Sequence, residues 1–194
     1  MTKVIGIGNA IVDVIARAED TFLDHMGIEK GIMQLIERER AELLYAAMDG
    51  RVETPGGSVA NTIAGLGRLG VDAAFVGKVR DDALGRGYAQ GMEADGIGFP
   101  NPPVKGAPLP TSRSMIFVSP DGERSMNTYL GAGADLGADD VAPATFAEGG
   151  LVFLEGYLFD KEDGKSAFRH AARLMHDAGG QAAITLSDPF CTER

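Results

Sequence analysis

The stretch Thr54-Pro55-Gly56-Gly57-Ser58-Val59-Ala60-Asn61-Thr62, running on to Gly70, constrains the fold of this chain more than any other. Pro55 stops whatever precedes it, and the glycine pair permits backbone angles that residues with a Cβ avoid. Ser58 is expected as the N-cap of a helix. Val59, Ile63, Leu66 and Leu69 then recur at helical spacing as one apolar stripe. Ala60, Ala64 and Gly67 form a second stripe, small enough for close packing on a sheet. Gly70 suits the C′ position that ends the helix. Bare backbone N–H groups and a helix N-terminus therefore meet at one spot, with Asn61 in the first turn. Such a spot suits hydroxyls or an anion; a plain loop-to-helix junction with a capping serine is the other reading.

Apolar runs surround this junction. Val4 to Gly8 reads as a buried strand of the parallel-sheet kind. Gly6-Ile7-Gly8-Asn9-Ala10-Ile11 begins like a dinucleotide fingerprint, yet the third glycine is missing. Ile11 to Ala16 also continues as strand where that fingerprint requires a helix, so no nicotinamide site is expected. Asp13 stands inside this apolar run. A carboxylate there is costly unless hydrogen-bonded, and when ionised it only accepts. Two adjacent sugar hydroxyls suit its two oxygens; equally, Ile11, Asp13 and Ile15 on the wet face of an edge strand would explain it.

Further along, Thr21 to Met26 is expected as a short helix closed by Gly27, and Gly31 to Ile36 as a strand. Glu37 to Met48 follows as a helix turning Leu43, Leu44, Ala47 and Met48 inward. Ala73 to Val79 is a second core strand, and Asp81-Asp82 and Leu84-Gly85 open a helix over roughly 84–95 that ends at Gly96. Pro100, Pro102, Pro103, Pro108 and Pro110 exclude regular structure before Thr111. Ser114–Val118 and Ser125–Leu130, joined through Pro120-Asp121-Gly122, read as a hairpin. A hairpin among βα units suggests a small separate sheet, a lid, joined by the strands at 11–16 and 31–36. Alternation resumes with Leu151–Leu154, a helix from Lys161 to Ala178, and a strand over 182–187. The whole implies an α/β sheet with helices on its faces. Groups at the carboxyl ends of parallel strands line the ligand crevice of such sheets. Glu155 and Asp188 hold such positions, as ligand groups or as solvated loop residues.

Composition narrows the function. Charge is 18 Lys and Arg against 28 Asp and Glu, net −10, without a basic cluster, so a nucleic-acid partner is not expected. The apolar runs are too short for a membrane span, and the N-terminus lacks a signal-peptide layout. The single Cys191 excludes an internal disulfide and a cysteine-based zinc site. His25, His170 and His176 read as solvated helix-face residues. A cytoplasmic protein of one large domain, or of one domain with an appendage, is the expectation.

At this point the residues carry a resemblance. Gly56 to Thr62, with Gly70 downstream, resembles the first signature of the ribokinase-like (PfkB) carbohydrate and nucleoside kinases, with Val59 where the family usually carries a small residue. Asn9-Ala10-Ile11-Val12-Asp13 resembles the family's opening strand, and Phe75 to Val79 with Asp81-Asp82 and Leu84-Gly85 its next block. Glu123 to Ala132, Leu154 to Leu158 and Thr185 to Phe190 look most like the adenosine kinase branch.

The resemblance implies a three-layer α/β/α fold with a small β-sheet lid. Residues 1–194 would form the N-terminal, acceptor-binding part of one kinase domain, with lid strands within about 11–36 and 113–130. Asp13 would accept hydrogen bonds from sugar hydroxyls, and Gly56, Gly57 and Asn61 would complete the sugar site, with Asn9, Ser58, Glu155 and Tyr157 around it. Leu35, Leu130 and Ala132 would close over the base or ring and exclude water. The implied partner is a small-molecule acceptor, a nucleoside (adenosine first) or a sugar of the ribose or fructose kind; ATP and Mg2+ are the implied cofactors. A non-catalytic binding fragment is the alternative from another class.

The transfer step is a separate matter. The family's Gly-Ala-Gly-Asp segment, whose aspartate is the base, and its Asn-x-x-Glu magnesium motif are both missing. Gly131-Ala132-Gly133-Ala134-Asp135 has one residue too many and follows a lid strand, so it reads as a decoy. No catalytic residue is therefore expected here, and the ATP and magnesium sites would lie mostly outside these residues. The last strand would also keep an uncovered edge, which invites association with another chain, a homodimer included. Residues 1–194 expressed alone should not phosphorylate adenosine from ATP, because phosphoryl transfer needs a base at the acceptor and cations at the departing phosphate. Turnover in that assay comparable with ordinary kinases would show the decoy to be functional.

Overall fold

Two separate sheets form in the computed structural model, which describes residues 2–193. The strands are β1 (Val4–Ile7), β2 (Ile11–Arg17), β3 (Met33–Leu35), β4 (Val52–Gly56), β5 (Ala73–Val76), β6 (Ser112–Val118), β7 (Arg124–Tyr129), β8 (Leu151–Glu155) and β9 (Gln181–Thr185). The helices are α1 (Asp20–Met26), α2 (Arg38–Ala46), α3 (Ser58–Arg68), α4 (Ala83–Ala94), α5 (Glu162–Asp177) and the short α6 (Pro189–Thr192).

The core sheet has the order β5-β1-β8-β9 and is parallel throughout. Its strands are apolar on both faces because helices cover both. Ile5, Ile7, Val152 and Leu154 pack with Phe168, Ala171 and Met175 of α5 on one side. Phe75 packs with Val59 and Ile63 of α3 and Tyr88 and Met92 of α4 on the other. Gly6 lets α3 come down on β1, since a Cβ there would stand 2.4 Å from Ile63 Cγ1. This is the expected α/β/α layering.

The second sheet, β3-β7-β6-β2-β4, mixes parallel and antiparallel pairs. It joins the hairpin to the strands near residues 11–16 and 31–36, as the sequence suggests. One face, with Val12, Val14, Ala16, Met115 and Phe117, is buried with α1 and α2. The other carries the row Leu35, Thr128, Ser114, Asp13 and Thr54, set side by side by the register.

Several local expectations need correction. Pro55 does not end an element; it lies inside β4, opposite Val12, where an edge strand tolerates its missing N–H. Ser58 is not the N-cap: Gly57 holds that position at φ 110°, and Ser58 is the exposed first helical residue. The apolar stripe of α3 stops early, for Leu69 is 83 % exposed beyond the last turn. Gly67 packs against Ile97 instead of the sheet. In α2, Ala41 and Leu44 are the buried pair, with Met48 just beyond, whereas Leu43 is exposed. Position 43 lies about 100° around the helix from 44, on the solvent side.

One side chain joins lid to core. Asp82 caps α4 by accepting from Gly85 N at 2.8 Å, and also accepts from Thr111 N at 3.0 Å and Thr111 Oγ1 at 2.7 Å, directly before β6. Asp82→Ala should therefore destabilise the protein by about 2 kcal/mol, a lost cap plus stranded donors. The drop would appear in the urea midpoint, together with faster amide exchange at Thr111 than at core strands. An unchanged midpoint would mean the junction is held elsewhere.

Candidate functional site

The junction singled out in the sequence is where three segments converge. β1 leads to Asn9, β4 leads through Gly56-Gly57 into α3, and β8 ends at Glu155. Glycines make the convergence sterically feasible. A Cβ on Gly57 would lie 2.4 Å from Asn9 O, one on Gly56 would lie 2.3 Å from Asp13 Oδ2, and one on Gly8 would lie 2.5 Å from Glu155 Oε2.

Glu155 is neither a solvated loop residue nor an open ligand group: it is 1 % exposed. Its Oε1 accepts from Asn9 N at 3.0 Å and Asn9 Nδ2 at 2.8 Å, and its Oε2 accepts from Val59 N at 3.0 Å. Burial pushes its carboxyl above the ordinary range, and these three donors pull it back. A helix N-terminus favours negative charge, and here the protein supplies that charge itself. The first turn of α3 is thus partly occupied by a carboxylate, which disfavours the anion reading of this junction and leaves the hydroxyl reading.

Asp13 lies beside Gly56 in a different state. Burial is the largest influence on its carboxyl and raises it to about 6, against an opposing pull from Arg124. No donor among the described residues lies within hydrogen-bond distance of its oxygens. Gly56 is held in turn by Tyr88 of α4, whose hydroxyl donates to Gly56 O at 3.1 Å. The Tyr88 phenol is raised far above its usual range, first by burial and then by Glu155 and Asp13. Nothing in the helical spacing of 84–95 marks Tyr88 for this task; only its size at a buried helix position hints at it. Ser114 and Thr128, also unsignalled by the sequence, share a 2.8 Å hydrogen bond in the row that holds Asp13.

The remaining candidates are placed as follows. Asn9 is buried, with its Oδ1 unpartnered among the described residues. Asn61 is exposed in the first turn of α3, its N–H spent on Gly57 O at 2.9 Å. Leu35 is exposed on β3 in the same row as Asp13, Leu130 is half-buried, and Tyr157 is half-buried with its phenol raised chiefly by burial. Ala132 is buried in a 3-10 turn, its N–H donating to Pro110 O at 2.9 Å, so it supports the lid from beneath. That turn, Gly131–Asp135, follows β7. Asp135 pairs with Lys161 at 3.1 Å, and its carbonyl accepts from Lys78. Among the described residues no three His, Cys, Asp or Glu side chains are grouped to hold a metal ion. Nor is any described helix long and apolar enough to cross a membrane.

A parallel core sheet with a β lid, and a carboxylate facing a double glycine at a helix start, define the architecture as an α/β fold with an added small sheet. The chain belongs to the pfkB family of carbohydrate kinases, whose model matches residues 1–193. It is similar along 100 % of its length to the crystal structure of adenosine kinase from Sinorhizobium meliloti, at 52 % identity and a TM-score of 0.88. A probable sugar kinase from Rhizobium etli CFN 42 is 45 % identical, also over 100 % of the chain and with a TM-score of 0.88. The chain covers 59 % and 58 % of those two proteins. A fructokinase of Solanum tuberosum is 38 % identical over 96 residues, 47 % of this chain and 28 % of that enzyme. The fold is the α/β fold of the ribokinase-like kinases.

Glu155→Gln tests the clamp. A glutamine amide offers one acceptor where two oxygens now serve three donors, so one N–H must face another. A loss of about 2–3 kcal/mol in unfolding free energy is expected from a stranded buried donor. Urea denaturation reads it; wild-type stability would show that Glu155 does not hold the three segments.

Proposed function

We propose that this chain forms the acceptor-binding part of a kinase that transfers a phosphoryl group from ATP, with magnesium, to a hydroxymethyl group of a nucleoside, adenosine first. Asp13 carries the reading. It is a largely buried carboxylate without a donor among the described residues, beside the Gly56-Gly57 backbone. What satisfies it is a neutral ligand with hydroxyl donors, and two adjacent sugar hydroxyls match a carboxylate's two oxygens. Asn61 and Ser58 are exposed beside it. Glu155 and Asn9 act here by positioning the glycine backbone.

Size supports a nucleoside over a monosaccharide. Leu35 and Asp13 share a row but lie three strands apart, roughly 14 Å at ordinary strand spacing. A sugar at Asp13 leaves room for a base toward Leu35 and Met33, both exposed apolar side chains. Leu130 borders that space. The 52 % identity to an adenosine kinase along the whole chain also favours this reading. The fructokinase match at 38 % over about half the chain favours a second one, a sugar kinase. Transfer needs a base and cations at the moving phosphoryl group, and no described residue of this chain is assigned to either task.

Ionised Asp13 accepts hydroxyl hydrogen bonds better than protonated Asp13, so acceptor affinity should fall as the pH drops through about 6. Calorimetric titration with adenosine should show about tenfold weaker binding per pH unit below that value, and Asp13→Asn should remove the dependence. Fructose or ribose binding far more tightly than adenosine would replace the nucleoside reading with the sugar one. PH-independent adenosine binding would remove Asp13 from the site.

A further inference from the structure

At the end of the lid sheet remote from Gly56-Gly57 there is a cavity of about 360 Å³. Its walls are residues 17–19, where β2 leaves for α1, and Val118, Ser119, Pro120 and Gly122 at the turn between β6 and β7. That volume falls at the lower end of the range for small-ligand sites, about 300–1,000 Å³. Arg17 stands roughly 13 Å from Asp13 along β2 at ordinary strand rise, so this is a separate place. Backbone bonds fix the walls: Ala18 N donates to Val118 O at 3.1 Å, Ser119 N to Glu123 O at 2.9 Å, and Gly122 N to Ser119 O at 2.9 Å. Ser119 is 3 % exposed, and its Oγ has no hydrogen-bond partner among the described residues. A hydroxyl shut away from water without a partner costs free energy, so something is missing beside it.

Charges of both signs surround this end. Lys30 holds Asp20 at 2.8 Å and Asp121 at 2.7 Å. Arg124, opposite Val118 across the hairpin, acts on Asp13. The Glu123 carboxylate lies toward Gly31, where a Cβ would stand 3.4 Å from its Oε2. The charged side chains that line the cavity itself are Arg17 and Glu19, one of each sign. Both are exposed, and neither side chain has a hydrogen bond or ion pair among the described residues. A bare anion at Arg17 would meet Glu19, and a bare cation at Glu19 would meet Arg17. A ligand that carries both charges answers both. Between them Ala18, Val118 and Pro120 supply an apolar wall.

We propose that this cavity binds a small zwitterion, an α-amino acid with an apolar side chain. The Arg17 guanidinium and the Ser119 hydroxyl donate to its carboxylate, and Glu19 accepts from its ammonium group. Charge-assisted bonds of this kind are the strong ones, and a guanidinium fork matches a carboxylate. The ligand's side chain covers Ala18, Val118 and Pro120. Such a ligand ties the start of α1 to the hairpin turn, so the site stands whether or not the chain serves a kinase.

The test titrates L-leucine into the protein and follows backbone amide resonances, which locate the binding. Those of Ala18, Ser119 and Gly122 should shift and saturate. N-acetyl-L-leucine keeps only the carboxylate and L-leucinamide only the ammonium group. Each should bind about tenfold more weakly, the loss of one charge-assisted contact. Arg17→Met and Glu19→Gln should each weaken leucine binding by a similar factor, and Ser119→Ala several-fold. Because neither the Arg17 nor the Glu19 side chain is bonded within the described residues, both variants should fold as the unaltered protein does. Saturable shifts at these amides, weakened by both charge variants and by both blocked analogues, support the site. No saturable shift there, an analogue that binds as tightly as leucine, or either charge variant binding leucine unchanged overturns it.

Discussion

The Glu155 carboxylate is the interaction on which the rest of this structure depends. It ends a core strand, accepts from both the backbone and the side chain of Asn9, and accepts the Val59 N–H at the start of α3. Three chain segments far apart in sequence are tied at one buried point. Burial alone would expel that charge, but charge-assisted bonds and a helix N-terminus together hold it. The neighbouring glycines follow from the same requirement. With a Cβ at position 8, 56 or 57 the segments could not approach closely enough for the bonds to form.

Two carboxylates at one site divide the labour by their surroundings. Glu155 is fully hydrogen-bonded and structural, whereas Asp13 is largely buried yet has no donor among the described residues. The first removes an anion's natural seat at the helix start; the second asks for a donor. Together they underlie the proposal of a neutral polyol, not an acid, at this spot. This distinction is electrostatic, and residue type alone does not carry it, since both are acids at strand positions.

What was legible in the sequence was whatever depends on local pattern. Apolar strands and amphipathic helices gave the α/β layering, and the Pro120-Asp121-Gly122 turn gave the hairpin and its separate sheet. Asp13 stood out because a charge in an apolar run requires explanation. Long-range pairing was not legible. β4 has a proline and two polar residues, and only its alignment against β2 makes it a strand. Ser58 carries a good capping side chain, yet the Glu155 carboxylate, 96 positions from Val59, reaches the first turn instead. The apolar stripe of α3 ends sooner than its period suggests because Leu69 matches the spacing but lies beyond Arg68, the last helical residue. Tyr88 was missed because a buried tyrosine in a helix acquires its role only from its neighbours.

The same bonds set limits on how the lid moves. The chain crosses between core and lid sheets at four places: after β1, at Gly57, before β6 and after β7. Glu155 fastens the first two through Asn9 and Val59, and Asp82 fastens the third through Thr111. The fourth is tied to the third, since Ser112 Oγ donates to Leu130 O and Ala132 N donates to Pro110 O. All four crossings are therefore pinned by side-chain or backbone bonds at the end of the lid nearest Asp13. Motion that keeps those bonds has to develop at the far edge strand, β3, where Met33 and Leu35 are exposed. A lid built in this way is held fast at the end that carries Asp13 and is freer at β3. Under the proposed reading, the end of the site that meets hydroxyls is thus the rigid one, and tolerance for different rings would reside at β3.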